Sequence, residues 1–341
     1  MSVPQRFSRR SFLILSTAAL AACQLEEEVL RLSGSTMGTT YNVVAVPAGK
    51  SIDKPALESA IHTALAQVNT EMSNWDAGSE ISRFNAAPAG QTVTLSPALA
   101  EVMRNADLVH QASEGRFDVT VGPLIDLWGF GSGVQGPHIP ADSDISDALA
   151  RSGQSRVLEL AGSDLRKTVD GAEVYLSAIG KGHGVDRVAD VLRGFGLENF
   201  MVEIGGDLYA AGHNGNGTPW QIGIESPVAG DRALHSIANV ANLGMATSGD
   251  YRNFFEEDGT RYSHIIDPAT GRPILHRTVS ATVLTENAML ADAWATAMLV
   301  LGRARGLEIA EAQGLAVAFI DQVPGEGFVT TVSSRYSALQ A

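Results

Sequence analysis

Apolar and polar positions along the chain fall into two periods. From Pro55 to Met72 apolar residues recur at 57, 61, 64, 65 and 68, the spacing of one face of a helix. Ser96–Glu114 repeats that pattern, with Ser96 placed to cap it ahead of Pro97. Shorter helices are predicted at Asp142–Ser152 and Val185–Phe195. Helical patterns at 288–303 and 306–313 are separated by a short break. Between them, alternating or β-branched runs predict strands at 40–46, 156–160, 173–177, 199–204, 207–211, 219–225, 235–241, 261–266, 279–284, 315–320 and 327–332. The Gly/Pro-rich stretch Gly129–Pro140 reads as a loop, and Asp258-Gly259 as a hairpin turn. Strands outnumber helices without regular βα alternation, and 199–204 and 207–211 are close enough to form a hairpin. The expected class is therefore α+β, with mixed, largely antiparallel sheets and packed helices.

The first residues follow a different logic. "SRRSFLILSTAALAAC" has a basic start, an apolar run from Phe12 to Ala22 too short to span a bilayer, and small residues before a cysteine. Arg9-Arg10 resembles a twin-arginine export signal and Leu20-Ala21-Ala22-Cys23 a lipobox. Residues 1–22 are thus expected to be a lipoprotein signal peptide and 23–34 a linker, with one domain over 35–341. Cys23 is the single cysteine, so no disulfide or cysteine cluster forms within one chain, and lipid attachment is its expected role. That places the protein outside the cytoplasm, lipid-anchored at a membrane facing the periplasm.

Composition narrows the partners. The 341 residues are 45% hydrophobic and 18% charged, which supports a packed core. The formal charge is −14, and losing Arg6, Arg9 and Arg10 leaves 21 basic against 38 acidic groups, or −17. Such a surface repels nucleic-acid phosphates.

Candidate chemistry concentrates in the second half. In "MLADAWATAMLV" (289–300) Asp292 and Thr296 stand four apart on a helix, so both oxygens project from one face, as half of a hard-cation site would. A structural reading stands beside it: Asp suits an early helical turn, and Thr can bond back to the preceding turn. "YLSAIGKGHGVDRVAD" (175–190) reads as strand, glycine turn and helix. Its backbone N–H groups and Lys181 could face an anion, or its glycines could serve close packing alone. In "TSGDYRNFFEEDGTRYSHIIDPATGRP" (247–273), His264 has a pKa suited to proton transfer. Trp75 in "MSNWDAGSEISRFN" and the aromatics of "GRFDVTVGPLIDLWGFG" could stack on a planar ligand or fill the core.

Taken in order with "STMGTTYNV" (35–43), "VEIGGDL" (202–208) and "ADAWATAMLVLG" (291–302), these stretches resemble the ApbE family, the FAD:protein FMN transferases. The resemblance implies an enzyme that binds FAD and Mg²⁺ and passes the FMN moiety to a Thr or Ser hydroxyl of a target flavoprotein subunit, releasing AMP. It implies Asp292, Thr296 and the carbonyl of Ala178 as metal ligands. It also implies FAD contacts from Met37, Trp75, Arg116, Phe117, Asp118, Lys181 and Ile266, with His264 activating the acceptor. Tyr175 departs from the pattern, since many members carry aspartate there. The implied acceptors are membrane redox subunits that carry covalent FMN. Two other activities remain open on the same residues: Mg²⁺-dependent FAD hydrolysis to FMN and AMP, and flavin binding without turnover.

Overall fold

The computed structural model describes residues 29–131, 136–228 and 233–341. Its centre is an eight-stranded sheet built from β1 (Leu30–Thr36), β2 (Thr39–Val46), β3 (Asn199–Ile204), β4 (Asp207–Ala211), β5 (Leu243–Gly249), β6 (Thr278–Thr285), β7 (Ala316–Val323) and β8 (Gly327–Val332). The spatial order is the chain order, and every neighbouring pair is antiparallel. Four longer helices are α1 (Lys54–Met72), α2 (Pro97–Ala112), α3 (Gly180–Gly194) and α4 (Ala288–Gln313). The expected α+β class with antiparallel pairing is what the fold shows.

Alternation along the strands separates two layers. Tyr209 and Ala211 face α1 and α3, whereas Leu208 and Ala210 face the hairpin of strands Trp220–Glu225 and Leu234–Val240. Phe319 and Val317 similarly meet α2 and α4 while Ala316, Ala318 and Ile320 meet the hairpin side, where Tyr336 of the C-terminal helix also packs. Covered on both faces, β6 is buried at all eight positions.

Several expectations need correction. Leu30–Thr36, partly assigned to the linker, pairs along its whole length with β2 through a two-residue turn at Met37-Gly38, both at positive φ. The segment 173–177 joins no sheet: the side-chain amides of Asn74 and Asn85 take the place of a neighbouring strand. Each donates to the Val174 carbonyl, at 2.7 and 2.9 Å, and their oxygens accept from the N–H groups of Leu176 and Val174. The hydrogen bonds resemble a ladder, so extended backbone forms without a partner strand. Finally, α3 begins at Gly180 rather than Val185, so the glycines expected to form a turn are its opening residues.

Those glycines let two helices meet. A Cβ on Gly182 would lie 2.2 Å from the carbonyl oxygen of Ala288, and one on Gly184 would lie 2.6 Å from Met37 Cε. From the other side, a Cβ on Gly244 of β5 would fall 2.3 Å from the Asn287 carbonyl carbon. The start of α4 is therefore wedged between α3 and β5. Asn287 caps α4 by accepting from the N–H of Leu290, and Asp186 of α3 accepts from the N–H groups of Ala288 and Met289 at 2.8 and 2.9 Å. Gly302, at φ 69°, breaks α4 just before the pause expected at 304–305.

Candidate functional site

A cavity of about 730 Å³ opens where β3–β5, the start of α3, the first turns of α4, the 220–240 hairpin and the segments 116–130 and 251–268 converge. Arg116, Phe117, Asp118, Tyr175, Ala178, Lys181, His264, Ile266, Asp292 and Thr296 all line it. Residues far apart in sequence are thus brought together. Met37 and Trp75 lie outside the lining. Met37 packs against Gly184 beneath α3, and Trp75, 69% exposed, sits in the turn after α1.

The floor is rich in oxygen. Asp292, 3% exposed, accepts the N–H of Gly182 at 3.1 Å and faces the Lys181 ammonium at 3.4 Å. The glycine-rich start of α3 does present an N–H to an anion, and the anion is the Asp292 carboxylate itself. Lys181 also bonds Asp207, which is buried at the start of β4. Thr296, one turn beyond Asp292, shares a 3.1 Å hydroxyl contact with Ser248 of β5. Neither Asp207 nor Ser248 is singled out by sequence. Gly205-Gly206-Asp207 reads first as the turn of a hairpin and Thr247-Ser248-Gly249 carries no strand signal, and only the sheet shows that both point toward Asp292 and Thr296.

The charges do not balance. Two buried carboxylates share one ammonium. Burial disfavours the Lys181 charge, but Asp207 and Asp292 outweigh it and hold the amine above the ordinary lysine range. Burial, then the Asp292 charge, raises the Asp207 carboxyl, against the pull of Lys181. A carboxylate oxygen grouped with hydroxyl and carbonyl oxygens is the donor type a hard divalent cation prefers. Among the described residues no cluster of three or more His, Cys, Asp or Glu could hold a metal. A cation here would use Asp292, the Thr296 hydroxyl and the Ala178 carbonyl, with water or substrate phosphate completing its shell.

The walls hold the other chemistry. Arg116 pairs with Asp267, which ties the 116–118 run to the turn after His264. Asp118 is occupied structurally: it accepts the N–H groups of Thr120 and Gln154 at 2.7 and 2.8 Å. His264 Nδ1 lies 3.1 Å from the carbonyl oxygen of Asn253. A carbonyl can only accept, so Nδ1 carries the proton and Nε2 keeps its lone pair. Burial lowers the His264 pKa, opposed by that hydrogen bond, so the ring is neutral at neutral pH.

The ApbE family model matches residues 37–319. The FAD:protein FMN transferase of Vibrio cholerae serotype O1 is 42% identical over 323 residues, covering 95% of this chain and 96% of that one. The protein of the same name from Haemophilus influenzae is 41% identical, covering 94% of each chain. Among solved structures, the flavin transferase ApbE from Vibrio cholerae superposes with a TM-score of 0.85 at 41% identity, covering 91% of this chain and 99% of that one. The apo flavinyl transferase ApbE of Pseudomonas stutzeri also gives 0.85, at 37% identity with 93% and 98% coverage.

Proposed function

The chain belongs to the ApbE family, and from that premise we propose that it transfers the FMN moiety of FAD to a Ser or Thr hydroxyl of a protein and releases AMP. The observation that carries this reading is the meeting of Asp292, Thr296, Lys181 and His264 around one cavity. In the reaction the acceptor oxygen bonds the FMN phosphorus as the bond from that phosphorus to the bridging oxygen breaks, and AMP leaves with the bridging oxygen. The hydroxyl proton passes to His264 Nε2. Lys181 offsets phosphate charge, and Asp292, Thr296 and the Ala178 carbonyl would hold Mg²⁺. Bound there, the ion would supply charge neutralisation at the phosphate bridge. Arg116, Phe117, Asp118 and Ile266 line the flavin's cavity, and Tyr175 adds a phenol to its wall. Trp75 and Met37 belong to this reading only as contacts beyond the cavity wall.

The base assignment predicts a pH profile. Protonation removes the His264 lone pair, so transfer falls as pH drops through the His264 pKa. Because burial places that pKa below the ordinary 6.5, the acid limb of kcat/KM is expected below pH 6.5. In His264→Gln the rate is expected to fall at least 100-fold and the limb to vanish. A limb that survives the substitution assigns the base elsewhere.

Residues 1–22 and Cys23 lie outside the described residues, so the export reading rests on the sequence pattern alone. No helix among the described residues is long and apolar enough to cross a membrane. An exported, Cys23-lipidated enzyme would meet redox subunits that carry covalent FMN at the periplasmic face of a membrane. Cys23→Ser is expected to move the protein from the membrane to the soluble fraction of fractionated cells, and an unchanged membrane fraction would remove the lipid assignment.

A further inference from the structure

A Ser or Thr oxygen stands only two bonds from its own Cα. For that oxygen to reach a phosphorus inside a cavity, the acceptor backbone must enter the cavity mouth, which an extended segment can do and a folded surface cannot. The structure holds an unused element suited to receive one. Among the described residues, strand Trp220–Glu225 pairs on one side only, with Leu234–Val240, in a two-stranded sheet. Five consecutive residues, Gln221 to Glu225, line the cavity. Side chains of a strand alternate between faces, so five in succession reach one cavity only where the strand presents its edge to it. Along that edge every second residue turns its N–H and C=O away from the existing partner.

The edge also leads toward the base. Glu225, at its end, forms an ion pair with Arg252, and the next residue, Asn253, is the one whose carbonyl fixes His264. At the middle of the edge Gly223 has no side chain. Leu234 Cδ1 lies 2.9 Å from where its Cβ would stand, and Leu234 is 60% exposed. Leu234, reaching over Gly223 from the paired strand, thus gives one face of the hairpin an exposed apolar surface. Resting on the transferase reading, we infer that the Ser/Thr-bearing segment of the acceptor protein docks as a third strand on the free edge of 220–225. Its hydroxyl is thereby delivered to the cavity on the His264 side.

A proline scan at Gln221, Ile222, Gly223 and Ile224 tests this through its parity. At alternate positions the lost N–H belonged to the pairing with 234–240, and the melting temperature falls. At the intervening positions the lost N–H faced the cavity. There the expected result is a melting temperature near that of the wild type, FAD affinity within about twofold by flavin fluorescence, and transfer to a flavin-free, FMN-accepting redox subunit at least tenfold slower. Fold-retaining proline variants that transfer at the wild-type rate overturn the proposal. Should every variant unfold, amide exchange in the FAD-loaded wild-type chain decides. Adding the same acceptor is expected to slow exchange in 220–225 at least tenfold, and unchanged exchange there overturns the proposal. That readout needs binding alone. A labelled acceptor with an unprotected strand refutes the docking, whereas a protected strand with no labelled acceptor refutes the transfer.

Discussion

Asp292→Ala is expected to abolish FMN transfer, lowering the rate at least 100-fold, or roughly 2.7 kcal/mol of barrier at 1.36 kcal/mol per decade. The carboxylate does two jobs at once. It is the only formally charged donor in the proposed cation set of Asp292, Thr296 and the Ala178 carbonyl, and it anchors the start of α3 by accepting the N–H of Gly182. Asp292→Asn separates them. The amide oxygen can keep the Gly182 bond and the shape, but the charge is gone. The expected result for Asn is therefore a melting temperature near that of the wild type together with a requirement for at least tenfold more Mg²⁺. Lys181 retains Asp207 in both variants, so its ammonium stays paired. A titration of transfer against Mg²⁺ reads the difference. An Asn variant with wild-type Mg²⁺ dependence would remove Asp292 from the cation set.

Gly182→Ala is expected to be strongly destabilising. Its Cβ would stand 2.2 Å from the Ala288 carbonyl oxygen and 2.7 Å from Met289 Cα, both backbone atoms that cannot swing aside. Either α3 or the wedged start of α4 must move. Overpacking of this kind costs about 3 kcal/mol, a fall of several degrees in melting temperature for a chain of this size. The displacement also separates Lys181 from Asp292, so transfer should fall even below the temperature at which the variant unfolds. Gly194→Ala is the control in the same helix. Nothing lies within 4 Å of its added Cβ, and stability is expected to stay within about 1 kcal/mol of the wild type. Equal melting temperatures for the two variants would contradict the helix crossing described above.

How far the sequence foretold this molecule depends on which forces shaped each element. Where a single amphipathic pattern decides, as in α1, α2, the broken α4 and the 199–211 hairpin, the elements lie close to where periodicity puts them. β5 is different. Its sequence, Leu-Gly-Met-Ala-Thr-Ser-Gly, is poor in β-forming side chains and shows no strand signal, yet small residues are what allow Asn287 and Ala288 to press against it at Gly244. The glycines at the start of α3 mislead for the same reason, since local propensity reads them as a turn while tertiary packing needs them in a helix. Asn74 and Asn85 are invisible as structural groups until the chain folds and their amides hold the 173–177 segment.

The site divides along the same line. Asp292 and Thr296 announce themselves by a four-residue spacing within one helix, and His264 by its side-chain chemistry. Asp207 and Ser248 come from different strands, and no spacing along the chain connects them to α4. The gathering of two carboxyl groups on Lys181 is a property of the assembled floor and is absent from any one motif. Trp75 stands apart from this cluster. An aromatic in a polar loop suggests a stacking platform, but the fold leaves it outside the cavity wall.

The most direct test follows both halves of FAD at once. The chain is incubated with FAD labelled in its adenine ring, Mg²⁺ and a flavin-free, FMN-accepting redox subunit, and the products are separated on a denaturing gel. Flavin fluorescence that stays with the acceptor band, with one labelled AMP released per flavin bound, is the predicted result. Free FMN and AMP beside an unlabelled acceptor, or FAD recovered intact, would contradict it.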